Sequence, residues 1–168
     1  MSARASAPGG LALVESLVNT LDLETGADTL ESPEARAGLR LAADEDLTAV
    51  RELRESLRAT LLAHAGHAPH GPVTPLGTLL AAAPLVVVVS AEDGSASLRP
   101  AADPAPLLAR VAAAVAEALT AGTWQRLKAC EAADCHWAYY DRSPAGRGRW
   151  CSMQVCGARA KMRRYRAK

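Results

Sequence analysis

The chain has 168 residues, 49% of them hydrophobic and 22% charged, with a formal net charge of +1. That is an ordinary soluble composition, enough for one or two small domains. The first ten residues, MSARASAPGG, lack the apolar stretch of a secretory signal, and the longest strongly apolar run, LVVVV at 85–89, is far too short to span a bilayer. A cytoplasmic location with no membrane partner is therefore expected. Thiols stay reduced there, so the four cysteines read as metal ligands or redox groups before disulfides.

Leu11, Val14, Leu17, Val18 and Leu21 recur at helical spacing and predict a first helix that stops near Gly26. Asn19, the only asparagine, falls inside it, and a hydrogen bond to a neighbouring loop is the expected role, ahead of a place in a pocket. Ser32-Pro33 starts a short second helix, since proline suits the first helical position. A third helix opens on Asp44, Glu45 and Asp46, where negative charge meets the positive end of the dipole. Leu47, Val50, Leu53, Leu57 and Leu61 form its apolar stripe, and AHAGHAPHGP follows as a loop. His64, His67 and His70 sit there at spacings of three, with no cysteine or carboxylate nearby, so a plain loop is read rather than a second metal site.

A short helix over Leu76–Ala83 is expected to stop at Pro84. LVVVVS and SASLRP flank Asp93-Gly94 and read as a β-hairpin. Asp103-Pro104 is expected to cap a last helix lined by Leu108, Val111, Val115 and Leu119 and closed by Gly122. The fold class is thus mainly α with one β-hairpin, an α+β body spanning 11–122.

From residue 123 onward the character changes. That segment holds eleven Lys and Arg against three Asp and Glu, net +8, while the preceding residues hold eight against fifteen, net −7. All six aromatics, Trp124, Trp137, Tyr139, Tyr140, Trp150 and Tyr165, lie there too. A basic module over 123–168, joined to an acidic body, is the simplest reading. TWQRLKAC and CHWAYYD read as two short strands, and RSPAGRGR as a loop. Val155, Ala158, Met162 and Tyr165 fall on one face of a C-terminal helix, with Arg159, Arg163 and Arg166 on another.

The cysteines form two equal pairs, Cys130-x4-Cys135 and Cys151-x4-Cys156, fifteen residues apart and all within 27 residues. Two turns that each offer two thiolates complete the tetrahedron that zinc prefers. Four protein ligands leave no open position, so one structural Zn²⁺ is expected rather than a catalytic one. A module of this size has too little core of its own, so the metal is expected to supply folding energy, with the tryptophans and tyrosines packed around it. His136 is expected to support a ligand rather than to be one.

Several segments carry a family resemblance. Residues 124–166, W-x-R-L-K-x-C…C-x3-Y-Y-D-R-S…R-W-C-S-M-x-x-C-G-x-R-x-K…Y-R, resemble the CGNR-type zinc finger of bacterial proteins. L-V-N-T at 17–20, Asp28 and Leu30, and L-R-E-S-L-R at 53–58 resemble the ABATE domain that usually precedes it. The resemblance implies a stress-induced transcription regulator that binds DNA, with an unknown small effector on the N-terminal domain. The signature reads C-G-A-R at Cys156–Arg159, with Ala158 in place of asparagine, which puts any capping or nucleic-acid contact of that asparagine in question.

The residues make their own case for nucleic acid, because clustered cations displace the counterions of a phosphate backbone. Arg142, Arg147 and Arg149 lie in the Gly/Pro-rich loop and are expected to be free to reach phosphates. Arg159, Arg163 and Arg166 line a helix face that would suit a DNA major groove, with Lys161, Arg164 and Lys168 beside it. Four thiolates and one Zn²⁺ add a charge of about −2, which lowers the module from +8 to about +6. Arg159 is the first candidate for orienting the thiolates. RNA is the nearest competing ligand, since Trp and Tyr stack unpaired bases. A module that docks on an acidic protein, or on its own acidic body, is a second alternative, and a thiol redox sensor a third. A homodimer would suit an operator. No catalytic motif is present, so no enzymatic activity is expected.

Overall fold

The computed structural model describes residues 5–167. Among these described residues there are six α-helices and two antiparallel hairpins. Helix α1, Leu11–Val18, turns its apolar stripe of Leu11, Val14, Leu17 and Val18 wholly inward. It ends earlier than its periodicity predicts, because Asn19 leaves the helix and Leu21 turns to bridge Asp28 in a short antiparallel contact. The short helix α2, Pro33–Gly38, is capped by Ser32 Oγ, which accepts from the Ala35 amide at 3.1 Å. Helix α3, Leu47–His64, is the spine of the body and is capped by Asp46, whose side chain accepts from the Thr48 amide at 2.8 Å.

Helix α4 is a single turn, Leu76–Leu80, shorter than expected. Strands β1, Leu85–Val89, and β2, Ala96–Pro100, then pair with Val87 opposite Leu98. This hairpin rests on helix α5, Leu107–Thr120, and leaves all four valines exposed. The cap of α5 differs from the expected one. Its first amide, Leu107 N, donates to Oε1 of Glu45 at 2.8 Å, so the stretch before α3 caps a helix 62 residues away, and Asp103 does not. At the other contact of α5, a Cβ on Gly10 would lie 2.7 Å from the Ala114 Cβ, so α1 seats on α5 at a distance that only glycine permits.

Helices α1, α3 and α5 enclose one aliphatic core, with Leu17, Val18, Leu57, Leu61 and Val111 fully inaccessible. Each such side chain stabilises the fold by roughly 1.5–3 kcal/mol. The same core continues into the C-terminal segment. Trp124, Leu127, Ala129 and Ala138 belong to it. Strands β3, Leu127–Ala129, and β4, Ala138–Tyr140, pair with Lys128 opposite Tyr139, and β3 packs on α3. The expected ring of aromatics around the cysteines is therefore only partly formed. Trp137 and Trp150 border the cysteine cluster, while Trp124 stands edge-on to His64 in the body, with ring centres 4.9 Å apart. A π-helical turn, Met153–Gly157, leads into helix α6, Ala158–Arg166, which buries no residue. Among the described residues no helix is long and apolar enough to cross a membrane.

Candidate metal centre and its basic helix

Each cysteine is placed by local backbone chemistry. Cys130 continues strand β3, its amide donating to Trp137 O at 2.9 Å. The Ala132–Cys135 turn closes when the Cys135 amide reaches Ala132 O at 2.9 Å. His136 then takes a left-handed backbone conformation, φ 47°, which reverses the chain into β4, and its ring nitrogen Nδ1 lies 2.9 Å from Cys130 O. On the second arm, Ser152 Oγ accepts from the Val155 amide at 3.3 Å and caps the turn that presents Cys156. The two arms are tied where the Glu131 amide donates to Arg149 O at 3.0 Å.

The four Sγ atoms all lie within 4.8 Å of one another. Cys135 and Cys151 are 3.6 Å apart, and Cys151 and Cys156 3.7 Å. Four thiolates bonded to zinc at 2.3 Å have sulfur–sulfur edges of about 3.8 Å, so the cluster has the size of a zinc tetrahedron. Its proton chemistry points the same way. Hydrogen bonds from Cys135 and Cys151 pull the Cys130 thiol down. Cys130 pushes Cys135 up and Cys151 up to about 12, and burial raises Cys156. Crowded thiolates disfavour one another's charge, and a dication is what allows all four sulfurs to ionise. The chain positions four cysteines to hold one structural Zn²⁺. His136 is outside the set.

Around this centre, polar groups fasten the finger to the body. Ala138 N donates to Asn19 Oδ1 at 2.7 Å, and Asn19 Nδ2 donates to Ala138 O at 3.0 Å. Arg58 is fully buried in α3. Its Nη1 donates to His136 O at 3.0 Å, its Nη2 to Val18 O at 2.8 Å and its Nε to Glu55 at 3.0 Å. Burial alone would raise the Glu55 carboxyl, but Arg58 and Arg54 outweigh it and hold the group below the usual range. Arg54 also reaches Asp28 at 2.9 Å and Thr20 at 3.1 Å. His64 Nδ1 lies 2.8 Å from Leu127 O, and His70 Nε2 lies 3.1 Å from Glu55. His67 Nε2 lies 3.8 Å from Glu131, so carboxylates do stand near these histidines, but each histidine serves a separate contact. Among the described residues the cysteines are the only group of three or more side chains placed to hold a metal.

The Gly/Pro-rich loop is built rather than free. Lys128 and Asp141 form a buried ion pair at 3.0 Å. Asp141 accepts from the Ser143 amide at 3.0 Å, from the Ser143 hydroxyl at 2.7 Å and from the Gly148 amide at 2.6 Å. Burial would raise this carboxyl, but those hydrogen bonds and Lys128 hold it far below the carboxylate range. Arg142 is occupied as well, donating to Ser6 O at 2.7 Å and Ala5 O at 3.2 Å, with Tyr140 beneath it. Arg149 forks onto Glu131 and lies over Trp150.

Arg159 does not turn to the thiolates. It pairs with Glu24 of the body at 3.1 Å and lies 3.9 Å from Asp134. Arg147, Lys161, Arg163, Arg164 and Arg166 are exposed and carry no ion pair among the described residues. Lys168 lies outside the described residues. Ala158 is exposed at the start of α6, and Ser152 caps the π-helical turn that leads into it. Gly157, beside it, is closely packed. A Cβ there would lie 3.1 Å from Met153 Sδ and 3.3 Å from Trp150 Cδ1. The face of Val155, Met162 and Tyr165 is exposed rather than packed inward, because α6 projects from the finger with its outer surface open.

Buried arginines were the site feature least visible in the sequence. Arg54 and Arg58 flank the Leu53–Leu57–Leu61 stripe at the angle where a solvated charge is usual, and only tertiary contacts mark them as buried.

Comparison with family models bears on the whole chain. Residues 126–168 match the CGNR zinc finger, and residues 11–122 match the ABATE model, described as "Putative stress-induced transcription regulator". No curated protein matches the chain. With four cysteines in a zinc-sized cluster and both models matched in this order, the chain belongs to the ABATE family of putative stress-induced transcription regulators and ends in a CGNR zinc finger.

Proposed function

We propose that this protein regulates transcription by binding DNA through α6 and the adjoining loop, without catalysing a reaction. The observation that carries this reading is α6 itself. Four cations, Lys161, Arg163, Arg164 and Arg166, stand on a helix that buries nothing and that the cysteine cluster anchors at its N-terminal end. Arg147 on the loop adds a fifth without an ion pair. Cations held unpaired beside a rigid staple suit phosphates, which repay their exposure by counterion release. The structural Zn²⁺ holds the two arms together and takes no part in contact with the ligand. The body contributes the anchor: Asn19, Arg58 and the Arg159–Glu24 pair fix the finger's position.

The test is a titration of full-length, zinc-loaded protein into labelled duplex DNA over a salt series, beside a chelated sample. If each of the five unpaired cations meets at most one phosphate, the slope of log K against log salt is no steeper than about −4.5. Binding should vanish with the metal. Salt-independent binding, or none, overturns the reading.

A further inference from the structure

The DNA reading leaves one feature of the finger unused. Between α6 and the Cys130–Cys135 turn runs an open groove of ≈ 1070 Å³. Trp150 and Met153 line it from the second zinc arm, and Lys161, Arg164 and Tyr165 from α6, over the small residues Ala132, Ala133, Gly157 and Ala160. Bare Gly157 keeps this floor low, since Met153 and Trp150 already approach it to within 3.3 Å of where a Cβ would be. Tyr165 is 78% exposed and Met153 71%, in a chain that has only six aromatics and buries Trp124 and Tyr139.

We propose that this groove receives an unpaired base of the bound nucleic acid, stacked on Tyr165 beside Trp150, with its flanking phosphates on Lys161, Arg163 and Arg164. The proposal rests on the nucleic-acid reading above and narrows it to DNA with a locally opened segment. A perfect duplex offers phosphates and base edges to a protein but no base faces, whereas an unpaired base offers a face that any aromatic ring can stack on. The groove's charge suits a phosphate-bearing strand. Of its two carboxylates, Glu131 is neutralised by Arg149 and Asp134 lies 3.9 Å from Arg159, while Lys161, Arg163 and Arg164 have no such partner among the described residues. At ≈ 1070 Å³ the open groove is on the scale of ligand-binding clefts, about 300–1,000 Å³, and is large enough for one base.

The experiment compares three labelled probes on full-length, zinc-loaded protein: a duplex, the same duplex with a central mismatched bubble, and the corresponding single strand. The variants are Tyr165→Ala and Tyr165→Phe. Tyr165 supports no core, so both should fold, which circular dichroism and zinc content verify. The bubble is expected to bind about tenfold more tightly than the duplex, the range that one stacked base gives. Y165A should abolish that advantage and Y165F keep it. Neither should change the salt slope, since no cation is removed. Equal affinity for bubble and duplex, or an advantage that survives in Y165A, overturns the groove proposal and leaves DNA binding standing. Failure to bind any probe, with binding to an acidic peptide instead, overturns both.

Discussion

Asn19 and Ala138, 119 residues apart, exchange two hydrogen bonds, Ala138 N to Asn19 Oδ1 at 2.7 Å and Asn19 Nδ2 to Ala138 O at 3.0 Å. A single amide side chain thereby acts as the neighbouring strand that β4 lacks on its outer edge. Asn19→Ala leaves both groups of a buried residue without partners, which should cost roughly 1–3 kcal/mol in urea unfolding. Asn19→Asp should be no better, because its carboxylate faces Ala138 O without a donor. A loss below a few tenths of a kcal/mol would mean that water replaces the amide.

Arg58 sets a larger penalty. Its guanidinium joins Glu55, Val18 O and His136 O with no access to solvent. Arg58→Ala strands the Val18 and His136 carbonyls and leaves Glu55 with Arg54 and His70 alone, for an expected loss of about 2–5 kcal/mol. Arg58→Lys keeps the charge but lacks the fork that reaches both carbonyls, so it should fall between the two. A thermal melt that ranks Lys level with wild type would refute the role assigned to the fork.

Metal removal should be felt in the body. His136 O is the acceptor for Arg58 and adjoins Cys135, while Leu127 and Ala138 sit in the shared core. If the knuckle opens without zinc, α1 and α3 lose partners at Val18, Asn19 and Arg58. Chelation should therefore raise amide exchange in α1 and α3 as well as in the finger, and the protein should melt in one lower transition. Unchanged protection in α3 would show that the body is indifferent to the metal.

Acid should act through three paired carboxylates. Asp28, Glu55 and Asp141 are all desolvated, which raises them, yet arginine or lysine partners and hydrogen bonds leave each below its ordinary value. A depressed carboxylate contributes stability that is complete above its unfolded value and is lost as pH falls toward the folded one. The ordinary values are 4.5 for Glu55 and 3.8 for Asp28 and Asp141, so the loss from these groups begins below about pH 4.5. Urea midpoints across pH 3–7, with zinc release followed in parallel, separate this loss from protonation of the thiolates. In Glu55→Gln the upper part of the acid slope should disappear.

The arginines should divide by partner. Removing Arg163 or Arg164 should lower the salt slope of DNA binding by about one each. Arg149→Ala should change it less, since Glu131 already occupies that guanidinium. Arg142→Ala should act mainly by releasing the segment at Ala5 and Ser6. Equal effects from all four would mean that the pairs break on binding.

Periodicity located the helices because a stripe such as Leu47–Leu61 has one way to bury itself. It misplaced the end of α1, since Asn19 leaves the helix for a partner more than a hundred residues away. The starts of α2 at Ser32-Pro33 and of α3 after Asp46 were legible because they are set locally, whereas the cap of α5 is Glu45 across the body and not Asp103. Cysteine spacing was legible for a similar reason. Two short pairs leave a metal little choice, and the cluster follows from the turns that hold each pair. The loop of Arg142, Arg147 and Arg149 was legible as a loop but not as a structured one, because the Lys128–Asp141 pair that organises it sits on the strands.

By itself, then, the sequence determined the four zinc ligands, the helical body and the concentration of positive charge at the C-terminal end, all of them set by near neighbours and composition. Tertiary structure alone decided which of those charges are free. Arg142, Arg149 and Arg159 are taken by Ser6, Glu131 and Glu24, while Lys161, Arg163, Arg164 and Arg166 are left open on α6. The physical reason is range. Ligand spacing and helix periodicity act over a few residues, whereas the pairing of a charge depends on which distant carboxylate or carbonyl the folded core brings within about 3 Å.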